Sequence, residues 1–201
     1  TLVGNIAQIA NTHNIKASGY GLVVGLRNTG SDIPLGEVRK QLLRELQNTD
    51  EDSLNAVLAY AGVRSVESLL ASKDTAAVVL EGTLPPGAEI GDTCDVRIRT
   101  LTNDESTSLR GGYLLQTGLF EMPQFGGSLW LGKHWANAEG PILVNPTASE
   151  ADDSSELKMG RILGGGRIRR SRELVIFLRE GHQTVSNAMN IERVINNRFF
   201  R

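Results

Sequence analysis

The stretch from Thr75 to Thr117 constrains the fold most, because three strand-like segments follow one another there, separated by proline and glycine. The first, Thr75 to Leu84, is almost continuously apolar, which predicts a strand covered on both faces. Pro85-Pro86-Gly87 ends it, since neither proline can donate to a ladder and the glycine frees the turn. The second, Thr93 to Leu101, alternates: Cys94, Val96 and Ile98 fall on one face, Asp95, Arg97 and Arg99 on the other. A polar loop, Thr102 to Thr107, leads through Ser108-Leu-Arg-Gly-Gly112 into a third strand, Tyr113 to Phe120. The pattern demands a sheet core and is silent about its use.

The rest of the chain supplies cover and extension. Leu2, Ile6 and Ile9 fit one side of a helical turn, and Ser18 to Leu26 reads as an apolar strand carrying three glycines. Glycine inside a strand weakens it and marks a bend or the close approach of another backbone. From Leu35 the period changes: Leu35, Val38, Leu42 and Leu46 form the stripe of an amphipathic helix. A second helix is expected from a cap at Asp52 or Ser53, with Leu54, Val57, Leu58 and Ala61 as its stripe and Gly62 as its stop. Val66 to Ser72 adds a short third turn. Beyond the core, Phe125 to Leu131 and Gly140 to Asn145 read as strands, and Trp130, His134 and Trp135 between them read as packing or an interaction surface. Leu174 to Leu178 is another apolar strand, and Thr184 to Phe199 is a helix with Val185, Ala188, Ile191, Ile195 and Phe199 along one side. The expected class is α+β: a mixed, mostly antiparallel sheet core of about six to eight strands, with an early helical cover and a C-terminal helix. By composition, residues 1–145 form the β-rich core with its cover, 146–158 an acidic loop or linker, and 159–201 a basic strand pair and the C-terminal helix packed on the core.

Motifs for chemistry are missing where they would be expected. Gly25 to Ser31 approaches the phosphate-loop pattern but lacks its lysine, which supplies the charge that reaches the outer phosphates. Gly19, Gly21 and Gly25 lie within a strand instead of after it, so they are no dinucleotide fingerprint. His13, His134 and His182 are far apart and have no metal-ligand spacing, and no G-x-S-x-G elbow occurs. The acids gather in Asp50-Glu51-Asp52 and in Glu150 to Glu156, exposed-looking runs poorly suited to a raised pKa. The expectation is no catalytic residue, no cofactor and no metal. No apolar run approaches the length of about 18 residues that a membrane-spanning helix needs. A formal net charge of −2 gives no global bias toward nucleic acid. The single cysteine, Cys94, reads as a buried, inert thiol.

The strongest charge feature is Lys158 to Arg179, where Lys158, Arg161, Arg167, Arg169, Arg170, Arg172 and Arg179 stand against one acid, Glu173. Alternation puts Arg167 and Arg169 on one strand face. Two readings stay open: a solvated strand face or partners for the acidic loops, or a surface for an anionic partner, namely a neighbouring subunit, a cell-wall polymer or nucleic acid. Interleaved stacking aromatics are absent up to Phe177, which counts against single-stranded nucleic acid. The acidic run beside a basic ribbon also suits head-to-tail contact between copies of one chain.

Several segments together resemble the flagellar basal-body P-ring protein family. They are Gly19-Tyr-Gly-Leu-Val-Val-Gly-Leu26 with Asn28-Thr-Gly30, Ala76-Ala-Val-Val79 leading to Leu84-Pro-Pro86, and Gly91-Asp-Thr-Cys-Asp-Val96. Ser108-Leu-Arg-Gly-Gly112 with Leu114-Leu115, Gly160-Arg-Ile162, Ala188-Met-Asn-Ile191 and Ile195-Asn-Asn-Arg-Phe199 continue the series in order. The resemblance implies a secreted, non-enzymatic structural protein that forms a closed ring around the flagellar rod in the periplasm. It implies the outer-membrane L-ring and peptidoglycan as neighbours, a signal peptide that has been removed, and a chain that is the N-terminal part of a longer protein or a shortened relative. A divergent, non-flagellar envelope ring or a peptidoglycan-binding module is the alternative. Candidate assembly or anion contacts are Arg110, Arg167, Arg169, Arg170 and Arg172, with Arg110 a structural clamp or a subunit contact.

Overall fold

The computed structural model describes residues 2–102, 104–121, 124–125, 128–129, 132–148 and 154–199. In chain order α1 (Val3–Ile6), β1 (Ala7–Ala10) and β2 (Ile15–Val24) lead into three helices, α2 (Glu37–Gln47), α3 (Glu51–Ala61) and α4 (Val66–Leu70). Then come β3 (Ala76–Leu84), β4 (Thr93–Thr100), β5 (Tyr113–Phe120), β6 (Gln124–Phe125), β7 (Ser128–Leu129) and β8 (His134–Pro141). The chain closes with α5 (Ser154–Leu157), β9 (Met159–Ile168), β10 (Val175–Leu178) and α6 (Val185–Phe199). Six strands form a closed barrel in the order β2-β3-β4-β9-β8-β5, and every strand pairing among the described residues is antiparallel. The α+β expectation holds, and closure is the added finding.

Closure follows from the inward-facing residues. Leu80, Leu84, Val96, Ile98, Leu114, Leu119, Ile162 and Ile168 fill the barrel, each hidden from solvent. Burial of one such side chain contributes about 1.5–3 kcal/mol. Six strands enclose too little room for large residues at every position, so small ones alternate with them: Ala17, Gly21, Gly82, Ala136, Ala138, Gly160 and Gly166. A methyl group on Gly19 would lie 2.3 Å from the Gly118 carbonyl oxygen, which shows how closely β2 and β5 approach. The strand glycines are therefore the condition for closing the sheet.

The first core strand is covered on both faces only in its first half. Ala76, Val78 and Leu80 point into the barrel, whereas Ala77 joins Leu22, Val24, Ile33, Leu42, Leu46, Leu69 and Leu70 beneath the helices. By Glu81 the outer face is open to solvent. The stripe of α2 begins at Val38; Leu35 precedes the helix and is exposed. The cap of α3 is Asp50, two residues before the earlier of the expected caps, and its carboxylate accepts the Ser53 amide at 2.9 Å. Gly62 ends α3 in the left-handed conformation (φ 66°).

Two expected strands lie elsewhere. In place of one strand from Phe125 to Leu131, β6 and β7 pair with each other as a short hairpin; Trp130 lies outside the described residues. In place of Gly140 to Asn145, the barrel uses β8, and only Leu143 beyond it bridges back, to Arg161. Ile142 and Val144 are buried all the same, which is why that run looked like a strand. His134 to Gly140 is a poor strand by propensity, but Ala136 and Ala138 are what the crowded interior accepts. Trp135 packs in the barrel core, as the packing reading of that segment expected. The polar loop from Thr102 is an internal brace. Ser31 donates its hydroxyl to Asp104 Oδ1 (2.5 Å), which also takes the Ser106 amide (2.6 Å), while Thr107 N donates to Thr29 O.

Candidate assembly surface

Beside the barrel stands a small unit made from both ends of the chain. β1 pairs with β10 in the register Ala7↔Leu178, Gln8↔Phe177, Ile9↔Ile176 and Ala10↔Val175, and Arg179 N adds a bond to Ile6 O. The inner stripe of α6 covers one face of this ribbon: Ile176 and Leu178 meet Ala188, Ile191 and Ile195 around a hollow of about 350 Å³. Ile191 alone among the α6 side chains is buried. The ends of the expected stripe, Val185 and Phe199, are bare at 77% and 72% exposure. Met189 and Val194 of α6 are exposed, as are Ile9, Val175 and Phe177 of the ribbon. Apolar surface concentrated in one unit marks a place where another surface belongs.

The basic residues singled out by sequence separate into different roles. Arg172 is buried, not a surface contact. Its guanidinium donates to Leu84 O (3.0 Å), His13 O (2.7 Å) and Asn11 O (3.4 Å), and its amide donates to Ala88 O. It ties the segment before β2, the end of β3 and the lead into β10 at one point, and so fastens the ribbon to the barrel. Arg172 lies past the end of β9 at Ile168, on the lead into β10, where the chain crosses the segment before β2. Arg110 is likewise engaged within the chain: Nη2 donates to Asn145 O (3.1 Å) and Ala148 O (3.0 Å), holding the turn after β8 against the turn before β5. Arg167 and Arg169 flank buried Ile168 and are exposed, and so is Arg170. Arg97 and Arg161, also exposed, stand opposite each other on β4 and β9. Among the described residues the ion pairs are Arg39–Asp32 and Lys40–Glu37, both at the helical cover, so the barrel arginines join none.

Few groups carry a perturbed proton affinity. Burial lifts the Glu45 carboxyl above its ordinary range, against a Gln41 amide that donates to it at 3.0 Å and the nearby Arg44 charge. Burial, then the hydrogen bond to Glu139 and its charge, raises the Tyr113 phenol. Burial, with Asp95 adding to it, raises the Cys94 thiol, which is free and only partly covered. No group of three or more His, Cys, Asp or Glu among the described residues is placed to hold a metal ion. No helix among them is long and apolar enough to cross a membrane. The barrel flank and the ribbon offer exposed surfaces for contact. Sequence reasoning missed Phe177 and Met189 as surface residues, since an apolar run signals burial without saying against what.

Comparison with known proteins bears on which contacts these are. The family model described as flagellar P-ring protein matches residues 3–201. A flagellar P-ring protein of Burkholderia mallei is 34% identical over 171 residues, covering 83% of this chain and 41% of that protein. One from Caulobacter vibrioides is 36% identical over 173 residues, 84% of this chain and 41% of its own length. One from Sinorhizobium fredii is 30% identical over 192 residues, 94% of this chain and 46% of that protein. The chain thus spans less than half the length of these relatives.

Proposed function

The chain belongs to the flagellar P-ring protein family, and from that premise we propose that it is a structural subunit of a ring in the flagellar basal body. The observation that carries the reading is the ribbon and α6, whose apolar outer faces have no partner within the described residues. A closed ring repeats one heterologous contact, in which a patch on each copy meets a different patch on the next. An apolar centre of this kind supplies the affinity such a contact needs. In this reading the copies close around the flagellar rod in the periplasm, beside the outer-membrane L-ring and the peptidoglycan. The role is mechanical, and the rigid barrel is its framework. Exposed Arg167, Arg169 and Arg170 would face anionic neighbours there, a contact that should weaken with salt.

Sedimentation velocity and negative-stain microscopy test the proposal on the wild-type chain and on Phe177→Asp and Met189→Glu variants. Both side chains are exposed, so melting should stay unchanged in the variants. Wild type should form larger species as concentration rises, alone or with rod and L-ring proteins, and the variants should stay monomeric. A wild-type chain that remains monomeric under both conditions, or variants that assemble as well as it does, refutes the reading.

A further inference from the structure

Where the loop after β2 meets the loop after β4, a buried carboxylate has one oxygen without a partner. Asp104 is 7% exposed, and Ser31 and Ser106 beside it are 6% and 0% exposed. Asp104 Oδ1 accepts the Ser31 hydroxyl at 2.5 Å and the Ser106 amide at 2.6 Å. Asp104 Oδ2 is buried and accepts no hydrogen bond at all. The Ser106 hydroxyl donates to Ser31 Oγ at 3.3 Å, and no donor reaches it among the described residues. The surrounding backbone is stitched across three segments: Ser31 N donates to Thr75 O, Thr107 N to Thr29 O and Asp104 N to Leu101 O. These oxygens are therefore held in place by the fold.

Hydroxyl-to-oxygen distances this short are those of a carboxylate that carries its charge. A buried charge is costly unless a counter-charge lies beside it. Among the described residues the ion pairs are Arg39–Asp32 and Lys40–Glu37, so no side chain supplies that charge to Asp104. Arg110, six residues on in the sequence, gives its guanidinium to Asn145 O and Ala148 O instead. A water molecule would satisfy Oδ2 as an acceptor but would leave the negative charge unbalanced.

We infer that Asp104 Oδ2 is the anionic ligand of an alkali-metal ion, sodium or potassium, with the hydroxyl oxygens of Ser31 and Ser106 as neutral ligands. One carboxylate among uncharged oxygens balances one positive charge. A calcium ion would be left with excess charge in a buried place, and its sites draw on several carboxylates. The other acids nearby in sequence are engaged: Asp32 pairs with Arg39, and Asp74 accepts the Asn28 amide. The sequence expectation of no metal rested on His, Cys and carboxylate spacing, which an oxygen-bound alkali ion does not require. The ion ties the loop that leads into the helical cover to the loop that leads into β5. This inference is independent of the ring reading, since a chain that never assembles still holds the ion.

Thermal melting of the wild-type chain at constant ionic strength tests it, with sodium or potassium chloride replacing tetramethylammonium chloride in steps. Tm should rise saturably with at least one of the alkali ions. The gain should be roughly 3–6 °C at about 300 mM for a site half-filled near about 30 mM. Asp104→Asn should give no alkali-specific gain, and Ser106→Ala should raise the half-filling concentration at least about fivefold. If Asp104→Asn does not fold, broadening of the sodium-23 resonance by the wild-type chain takes its place, and Ser106→Ala should reduce it. Equal Tm in alkali and tetramethylammonium salts overturns the inference. So does an Asp104→Asn chain that keeps the alkali gain, or sodium-23 broadening that is the same for wild type and Ser106→Ala.

Discussion

Replacing Arg172 with Met keeps most of the side-chain volume and removes the guanidinium, which isolates the worth of its hydrogen bonds. Two of them, to His13 O at 2.7 Å and Leu84 O at 3.0 Å, are good by distance; the third, to Asn11 O at 3.4 Å, is weak. A hydrogen bond from a charged donor contributes about 1.5–3 kcal/mol net. Arg172 is only 6% exposed, so little screening by solvent reduces that. Carbonyls near the junction rim regain water once the arginine is gone, which favours the lower end, and a loss of about 3 kcal/mol is expected. For a chain of this size that lowers Tm by roughly 6–12 °C. Thermal unfolding followed by circular dichroism measures it, with exposed Arg170→Ala as the control at about ±0.5 kcal/mol. Arg172→Lys should recover only part, because one ammonium cannot reach carbonyls on both sides of a planar fork. A Met variant indistinguishable from the Arg170 control would refute the clamp.

The other expectations concern the barrel and its cover. Arg110→Ala should cost about 1–2 kcal/mol, since its guanidinium is partly solvated but holds two carbonyls of one turn, and thermal melting reads the loss. Gly19→Ala places a methyl 2.3 Å from the Gly118 carbonyl oxygen; it should destabilise by about 3 kcal/mol or prevent folding, as soluble yield and melting will report. For Glu45 the folded state holds its proton more tightly than the unfolded chain does, because burial raises its pKa. Stability should therefore fall as pH rises from the ordinary carboxylate range through that raised value. Glu45→Gln should raise Tm at pH 7 and leave it unchanged below both pKa values; equal Tm values at every pH would remove the argument.

Much of the barrel was legible in the chain, for local reasons. β5 begins and ends where the sequence places it, because Gly111-Gly112 and clear alternation bound it. The inward face of β4 was equally plain in Val96 and Ile98. β8 was hidden because its fitness comes from having small residues opposite large ones, a property of six strands together and not of any one. Closure was hidden for the same reason: Gly19, Gly21 and Gly82 each look like a weakness until their neighbours across the barrel are known. At the candidate surfaces, Arg167 and Arg169 came out as exposed as alternation suggested. Arg172, named from the sequence as a candidate contact by its charge alone, is buried, because its burial comes from carbonyls of distant segments that meet only in the fold. Nothing local marks Phe177 as bare and Ile176 as facing a helix, because that depends on β1, whose pairing with β10 spans nearly the whole chain.

That long-range pairing has a consequence for how the ribbon behaves. Two strands of four residues form a marginal sheet by themselves, and joining the chain's two ends costs loop-closure entropy that only a finished barrel removes. The Arg172 junction and the short inner stripe of α6 hold the unit in place. It should therefore be the least stable part of the isolated chain, opening far more readily than the barrel. Anything that binds its apolar faces stabilises it by mass action. Hydrogen exchange should show amides of β1, β10 and α6 exchanging well before those of β3 and β4 in the monomer, and becoming protected on assembly while the barrel changes little. Equal protection of ribbon and barrel in the monomer, or an assembly that leaves ribbon exchange untouched, would mean that the subunit contact lies on the barrel instead.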